Sequence, residues 1–271
     1  MPAASNALLT RVLSAAVLAP VALAAAYFGG LLFAAFWCVA AVAVAWEWMT
    51  LIGPVGRATI VLAAAGPVAA TVLVVQAQPA AAVAAVLVLA VAAGISAPAE
   101  RRGWAVCGAL YAALMGFAPV LLRADPALGL AVILLLFAVV WTTDILGYFG
   151  GRAIGGPKLA PSISPAKTWS GAIAGVAGTA AVVATMAYTL QVGGRAVIVI
   201  GVLLSVASQI GDLLESALKR KFGVKDASRL IPGHGGVMDR LDGFWAAALC
   251  AAVIGVARGG FGAAAHGLLV W

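Results

Sequence analysis

Uninterrupted apolar runs of membrane-spanning length constrain this chain more than any other feature. A helix needs about 20 mostly apolar residues to cross ~30 Å of hydrocarbon. Reading between charges and Gly/Pro breaks gives nine runs, near 12–29, 31–46, 58–76, 80–97, 104–122, 127–143, 171–190, 196–211 and 242–258. With 65% apolar residues and only 16 Lys and Arg against nine Asp and Glu, the chain lacks the polar surface of a water-facing globule. That balance excludes a soluble enzyme, a disordered chain and a fibrous repeat. The expected fold is all-α: a polytopic integral membrane helical bundle of about nine transmembrane helices. The first run follows Arg11 without a small-residue cleavage signature, so it is expected to stay as a span and not to be a signal peptide. The Ala/Val/Leu/Gly texture of the spans suits close helix packing in lipid. Residues 259–271 are also apolar, and either extend the last span or lie on the surface. Cys38, Cys107 and Cys250 stand far apart in apolar runs, which points to small buried hydrophobes and excludes a disulfide framework or a zinc knuckle.

Basic residues orient the spans. With the N-terminus in the cytoplasm and nine crossings, Arg11, Arg57, Arg101, Arg102, Arg152, Lys158, Lys167, Lys219, Arg220, Lys221, Lys225, Arg229 and Arg240 fall inside. Arg123, Arg195 and Arg258 fall outside. The expected orientation is N-terminus inside and C-terminus outside. The net charge of +7 is then explained by the anionic inner leaflet, without nucleic acid as a partner. The chain divides into an N-terminal region of about five spans (1–125) and a C-terminal catalytic region (126–271) with cytoplasmic loops at 144–171 and 212–242.

Charge is concentrated in the second of those loops. Asp212, Glu215, Lys219, Arg220, Lys221, Lys225, Asp226, Arg229, Asp239, Arg240 and Asp242 fall within 31 positions, and Asp144 ends the sixth span. A loop needing only solubility and positive-inside charge would not interleave acids with His234 and a Pro-Gly-His-Gly-Gly turn. Asp212 and Glu215 share a helix face at i, i+3, and Asp239 and Asp242 repeat that spacing at the next helix entry. Carboxylates at membrane helix ends are costly unless paired or bound to a cation. Asp212, Glu215, Asp239 and Asp242 make a hard-oxygen set that suits Mg²⁺ better than zinc. Lys219, Arg220, Lys221 and Lys225 beside them suit phosphates. Gly233, Gly235 and Gly236 permit close backbone approach to a ligand, and His234 is placed to touch phosphate or serve as acid–base, although a turn role is the commoner one for such a residue. The segment 144–171 offers Arg152, Lys158 and Lys167 with hydroxyls, and Ser164 or Thr168 to cap the seventh helix. Its plain reading is a linker with Trp169 as an interface anchor; its functional reading is a second wall of the site.

The runs Ser216-Ala-Leu-Lys-Arg220, Lys225-Asp226, Pro232-Gly-His-Gly-Gly236 and Asp239-Arg-Leu-Asp242 resemble the signature of the phosphatidate cytidylyltransferase (CDP-diacylglycerol synthase) family. Gly211-Asp-Leu-Leu-Glu-Ser216 and Ile163-Ser-Pro-Ala-Lys-Thr-Trp169 are similar to its other recurring stretches, and Glu47-Trp48 is compatible with them. The chain departs from the family pattern at Ser170, where Glu is usual, and at Ile145, where a small polar residue is usual. The resemblance implies transfer of the cytidylyl group of CTP to phosphatidate, giving CDP-diacylglycerol and pyrophosphate, in the bacterial cytoplasmic membrane. It implies a homodimer, with Mg²⁺ on Asp212 and Asp239 and a potassium ion beside it. Catalytic roles are expected for Asp212, Asp239, Lys219, Arg220, Lys225 and His234. Asp144, Ser164, Lys167, Thr168, Ser216, Asp226, Gly235, Gly236 and Arg240 are expected to bind substrate.

Two other classes compete. A transporter predicts ionisable residues in mid-span, and the spans before residue 144 carry essentially none. A lipid kinase would release a nucleoside diphosphate in place of pyrophosphate. A CDP-alcohol phosphotransferase would show Asp-Gly-x-x-Ala-Arg, whereas Asp242-Gly243 continues Phe-Trp-Ala-Ala.

Overall fold

A computed structural model describes residues 2–190 and 194–271; the side chains of 2–13, 15 and 190, Arg11 among them, lie outside the described residues. The chain forms two compact units, Met1–Ala124 with Val224–Leu241, and Asp125–Gly223 with Asp242–Trp271. The segment that carries the Pro-Gly-His-Gly-Gly turn therefore groups with the N-terminal helices.

In the first unit α1 (Pro2–Phe28), α2 (Gly30–Leu51), α3 (Arg57–Val75), α4 (Pro79–Ser96) and α5 (Arg102–Arg123) follow one another through short turns. Helices α2 to α5 are each long and apolar enough to cross a membrane. Apolar burial cannot drive their association in lipid, so close contact between small residues must. Gly108 of α5 lies under the Trp48 ring, where a Cβ would sit 2.0 Å from Cδ1. Gly116 faces Ala41 in the same way, with a Cβ 3.2 Å from that methyl. Trp48 then places its indole N–H on the Trp104 carbonyl at 2.9 Å, satisfying the polar end of a buried ring.

The second unit holds α6 (Gly129–Ile154), an antiparallel hairpin of β1 (Lys158–Ala160) and β2 (Ser164–Thr168), α7 (Trp169–Leu190), α8 (Gly194–Lys221) and α9 (Met238–Gly259), whose first turn belongs to the other unit. All four helices are of membrane-spanning length and composition. The protein is thus a multi-pass helical membrane protein, with eight such helices among the described residues and a shorter apolar stretch at Ala16–Phe28. Buried hydroxyls tie α6, α7 and α8 together: Thr143 Oγ1 lies 2.9 Å from Thr179 Oγ1 and 2.7 Å from Ser205 Oγ. Inter-helix bonds of this kind contribute about 0.6–1.7 kcal/mol in membranes. Thr143→Val is expected to destabilise the protein by about that amount, read as a lower unfolding midpoint in detergent.

Two of the expected loops prove largely regular. Residues 144–154 continue α6, and 155–168 form the hairpin and its connections. Gly147, Gly150 and Gly151, which suggest turns in the sequence, are packing positions: Cβ atoms at 150 and 151 would lie 2.4 Å from Ala174 Cβ and 2.8 Å from Thr168 Oγ1. Likewise α8 runs on to Lys221 and α9 starts at Met238, so the irregular part of 212–242 is shorter than expected. At 28 residues α8 is about 42 Å long, more than the ~30 Å hydrocarbon thickness, and its last turn carries Lys219, Arg220 and Lys221. The C-terminal residues fold back as α10 (Ala264–Leu269) against α9, where Gly255 and Gly267 allow near contact and Arg258 stacks 3.5 Å over the Trp271 ring.

Candidate active site

In the second unit, α6, the hairpin, α7 and α8 enclose a cleft of about 610 Å³. Asp144, Arg152, Lys158, Lys167, Gln209 and Asp212 supply its polar lining, and Gly147, Gly151, Gly155 and Gly156 keep its wall low. Lys167, projecting from β2, forms an ion pair with Asp212 Oδ2. Ser216, one turn on from Asp212, donates to its Oδ1 at 3.4 Å. The hairpin that delivers Lys167 is itself fixed. Thr168 takes the cap of α7, its Oγ1 accepting the Gly171 N–H at 3.2 Å. Ser170 donates to the Gly155 carbonyl, so the side chain at this departure from the family pattern ties the start of α7 to the end of α6. Ser164 sits in β2 opposite Ala160, and Arg220 Nε donates to the neighbouring Ile163 carbonyl at 3.4 Å.

Asp242, half-buried near the start of α9, accepts its neighbour Gly243 N–H at 2.7 Å. It lies within electrostatic reach of Asp212 and Asp144, with Lys219 as an opposing charge. Gly211 and Gly243 bring α8 and α9 this close: a Cβ at 211 would lie 2.5 Å from the Asp242 carbonyl oxygen, and one at 243 would lie 2.6 Å from Ser208 Oγ. Glu215 is buried, and its Oε2 forms an ion pair with Lys219 Nζ at 2.6 Å. Among the described residues no three His, Cys, Asp or Glu side chains gather closely enough to enclose a metal. The donor set nonetheless fits Mg²⁺, which prefers hard oxygens and takes one or two carboxylates plus substrate phosphates and water over an all-protein cage. Carboxylate oxygens also suit Mg²⁺ better than zinc, which favours nitrogen and sulfur ligands.

A second cavity, of about 580 Å³, belongs to the first unit. Lys225, Asp226, Ser228, Arg229, His234 and Arg240 line it, together with the glycine turn. Asp239 organises this turn. Its Oδ2 accepts the N–H groups of Ala227 (2.9 Å) and Gly236 (2.7 Å). Gly235 holds φ +87°, and a Cβ there would lie 2.7 Å from the same oxygen. The close approach expected at these glycines is thus made by the protein's own carboxylates, Asp239 at Gly235 and Glu47 at Gly236.

Glu47 is the residue that sequence reasoning passed over. It counts there only as compatible with a family pattern, and the second apolar run stops at residue 46. The structure carries α2 through it to Leu51 and buries it completely. The signal was present: it is the one charged side chain in α2. Beside the polar cleft, Trp169, Ile173, Val176, Val206, Ile210 and Leu213 line an apolar groove of about 450 Å³ between α7 and α8. Groove and cleft share Leu159, Ala172 and Gln209.

These elements define a polytopic membrane protein with a two-signed polar cleft that opens onto an apolar groove. The chain belongs to the cytidylyltransferase family, whose sequence profile matches residues 9–257. It is 55% identical over 148 residues to the phosphatidate cytidylyltransferase of Brucella abortus biovar 1 (strain 9-941), a match covering 54% of this chain and 55% of that protein. It is 47% identical over 130 residues to the phosphatidate cytidylyltransferase of Haemophilus influenzae, covering 45% of each chain. The Staphylococcus aureus (strain COL) protein of that name is 46% identical over 118 residues, covering 43% of this chain and 45% of the relative. The chain thus spans about half the length of the curated relatives it matches.

Proposed function

We propose that the protein transfers the cytidylyl group of CTP to phosphatidate at the cytoplasmic face of a bacterial inner membrane, with its N-terminus inside. The observation that carries this reading is the cleft, where Lys167 grips Asp212 and Asp144, Arg152 and Lys158 complete a lining of both signs. Cations alone would suit any anion; cations around a carboxylate set suit polyphosphate held through a metal. The names of these relatives point to the same substrates.

In the reaction a non-bridging oxygen of the phosphatidate phosphate attacks the α-phosphorus of CTP. A P–O bond forms to the lipid phosphate, the bond from the α-phosphorus to the α,β-bridging oxygen breaks, and pyrophosphate leaves with that electron pair. The attacking oxygen is already ionised near neutral pH, so alignment and charge neutralisation dominate over proton transfer. Mg²⁺, when bound, supplies a positive centre for the phosphates. Asp212 and Asp242 would hold it. Lys167 orients Asp212 and neutralises part of the charge of the incoming anion. Lys225, Arg229 and Arg240 give the first unit a cavity for phosphate oxygens, with His234 at its wall. One acyl chain lies along the α7–α8 groove while the headgroup enters the polar cleft. This rests on the residues the two cavities share.

The test is product analysis with the purified full chain, Mg²⁺, phosphatidate and CTP labelled at the α-phosphate. Label should appear in a nucleotide-linked lipid with equimolar pyrophosphate. Release of CDP with phosphate on the lipid would identify a kinase, and substrate flux into liposomes without CTP turnover would identify a transporter.

A further inference from the structure

Helix α2 carries one charged side chain, Glu47, and its exposure is 0%. A carboxylate enclosed in a membrane helix is expensive unless its oxygens are satisfied. Here both are. Oε1 accepts the Ser228 hydroxyl at 2.6 Å and the Val237 N–H at 2.8 Å, and Oε2 accepts the Met238 N–H at 2.7 Å. Three donors converge on its two oxygens, so the side chain serves here as an acceptor. Val237 and Met238 lead into α9, whose first N–H groups have no partner within the helix and whose dipole favours negative charge. The fit is tight: a Cβ on Gly236 would lie 2.5 Å from Oε1. The donors are 181 to 191 residues away in sequence, and all belong to the segment 224–241.

We infer that Glu47 is a positioning residue: its buried carboxylate clamps Ser228 and the start of α9, and thereby fixes the segment that presents Lys225, Arg229, His234, Asp239 and Arg240. This inference rests on the cytidylyl-transfer reading for its effect on turnover. Glu47 touches no substrate. It acts through the backbone it holds, as a rigid support for groups that must be placed to within a fraction of an ångström.

Glu47→Gln keeps the size of the side chain but turns one acceptor into a donor facing a backbone N–H. Ser228→Ala removes one of the three bonds and leaves both helix N–H contacts in place. In detergent-purified full chain, Glu47→Gln should lower kcat at least about tenfold, with the KM for CTP and phosphatidate within about twofold of wild type. Ser228→Ala should shift kcat the same way, by about threefold. In parallel, hydrogen exchange should accelerate in 224–241 of Glu47→Gln and remain unchanged in α3 to α5. The inference is overturned by wild-type kcat in Glu47→Gln, or by exchange that rises equally throughout the first unit, which would mark a general loss of stability. Wild-type protein without CTP turnover would refute the proposed reaction alone, and the exchange pattern would still decide the clamp.

Discussion

Asp212→Asn is expected to reduce CTP-dependent lipid labelling by about 100- to 1,000-fold, the scale on which removing one preorganised electrostatic group lowers kcat. The substitution preserves shape. An amide oxygen still accepts from Ser216, and the neighbouring packing of α8 is untouched. What disappears is the charge that pairs with Lys167 and lies within electrostatic reach of Asp242. Because Lys167 is then left without its counter-charge, Asp212→Asn with Lys167→Met should lose little more activity than the single change. Assay of initial rates at saturating CTP and phosphatidate, with the unfolding midpoint as a control, checks this. Losses that multiply in the double variant would mean that Lys167 acts apart from Asp212.

Asp239→Asn separates the structural role of this side chain from the catalytic role that the family resemblance implies. The carboxylate Oδ2 accepts two backbone N–H groups, from Ala227 and Gly236, and so holds the turn. An asparagine can direct its amide oxygen to the same two donors, keeping the turn while removing the charge. The expected result is a folded protein with an unfolding midpoint within about 2 °C of wild type and a turnover lowered about 100-fold or more. Asp239→Ala loses the acceptor as well, leaving the buried Gly236 N–H without its partner at a cost of about 1–3 kcal/mol, and the part-buried Ala227 N–H at less. It should be both inactive and visibly less stable. Equal stability of the Asn and Ala variants would show that the turn does not depend on this carboxylate.

The membrane class was legible because hydropathy integrates over whole helices and tolerates local exceptions. Eight long apolar helices and a shorter stretch stand where nine runs were read. Boundaries were less legible, for a physical reason: hydropathy ends where charge begins, whereas the hydrogen-bonded helix continues into the headgroup region. That is why α6 runs past Asp144 to Ile154 and α8 past Asp212 to Lys221. The glycines of 147–151 mislead for a related reason. In water a glycine cluster signals a turn, but between membrane helices it marks the place where backbones touch. The charged signature around 212–242 stands out because so few charges occur elsewhere. Glu47 escaped notice because two of its three partners are backbone N–H groups about 190 residues away, which leave no trace in residue type. Even the Gly-Gly pair of the turn reads differently once the fold is known: each glycine yields space to an internal carboxylate, at 235 to Asp239 and at 236 to Glu47.

The most direct test of the central claim, that carboxylates on α8 and α9 hold a divalent ion for the CTP phosphates, is electron paramagnetic resonance of Mn²⁺ bound to the purified full chain with a non-hydrolysable CTP analogue. The account predicts a bound-ion signal that Mg²⁺ displaces, that weakens at least about tenfold in affinity in Asp212→Asn, and that stays unchanged in Thr143→Val. Undiminished Mn²⁺ binding in folded Asp212→Asn and Asp242→Asn proteins would contradict it.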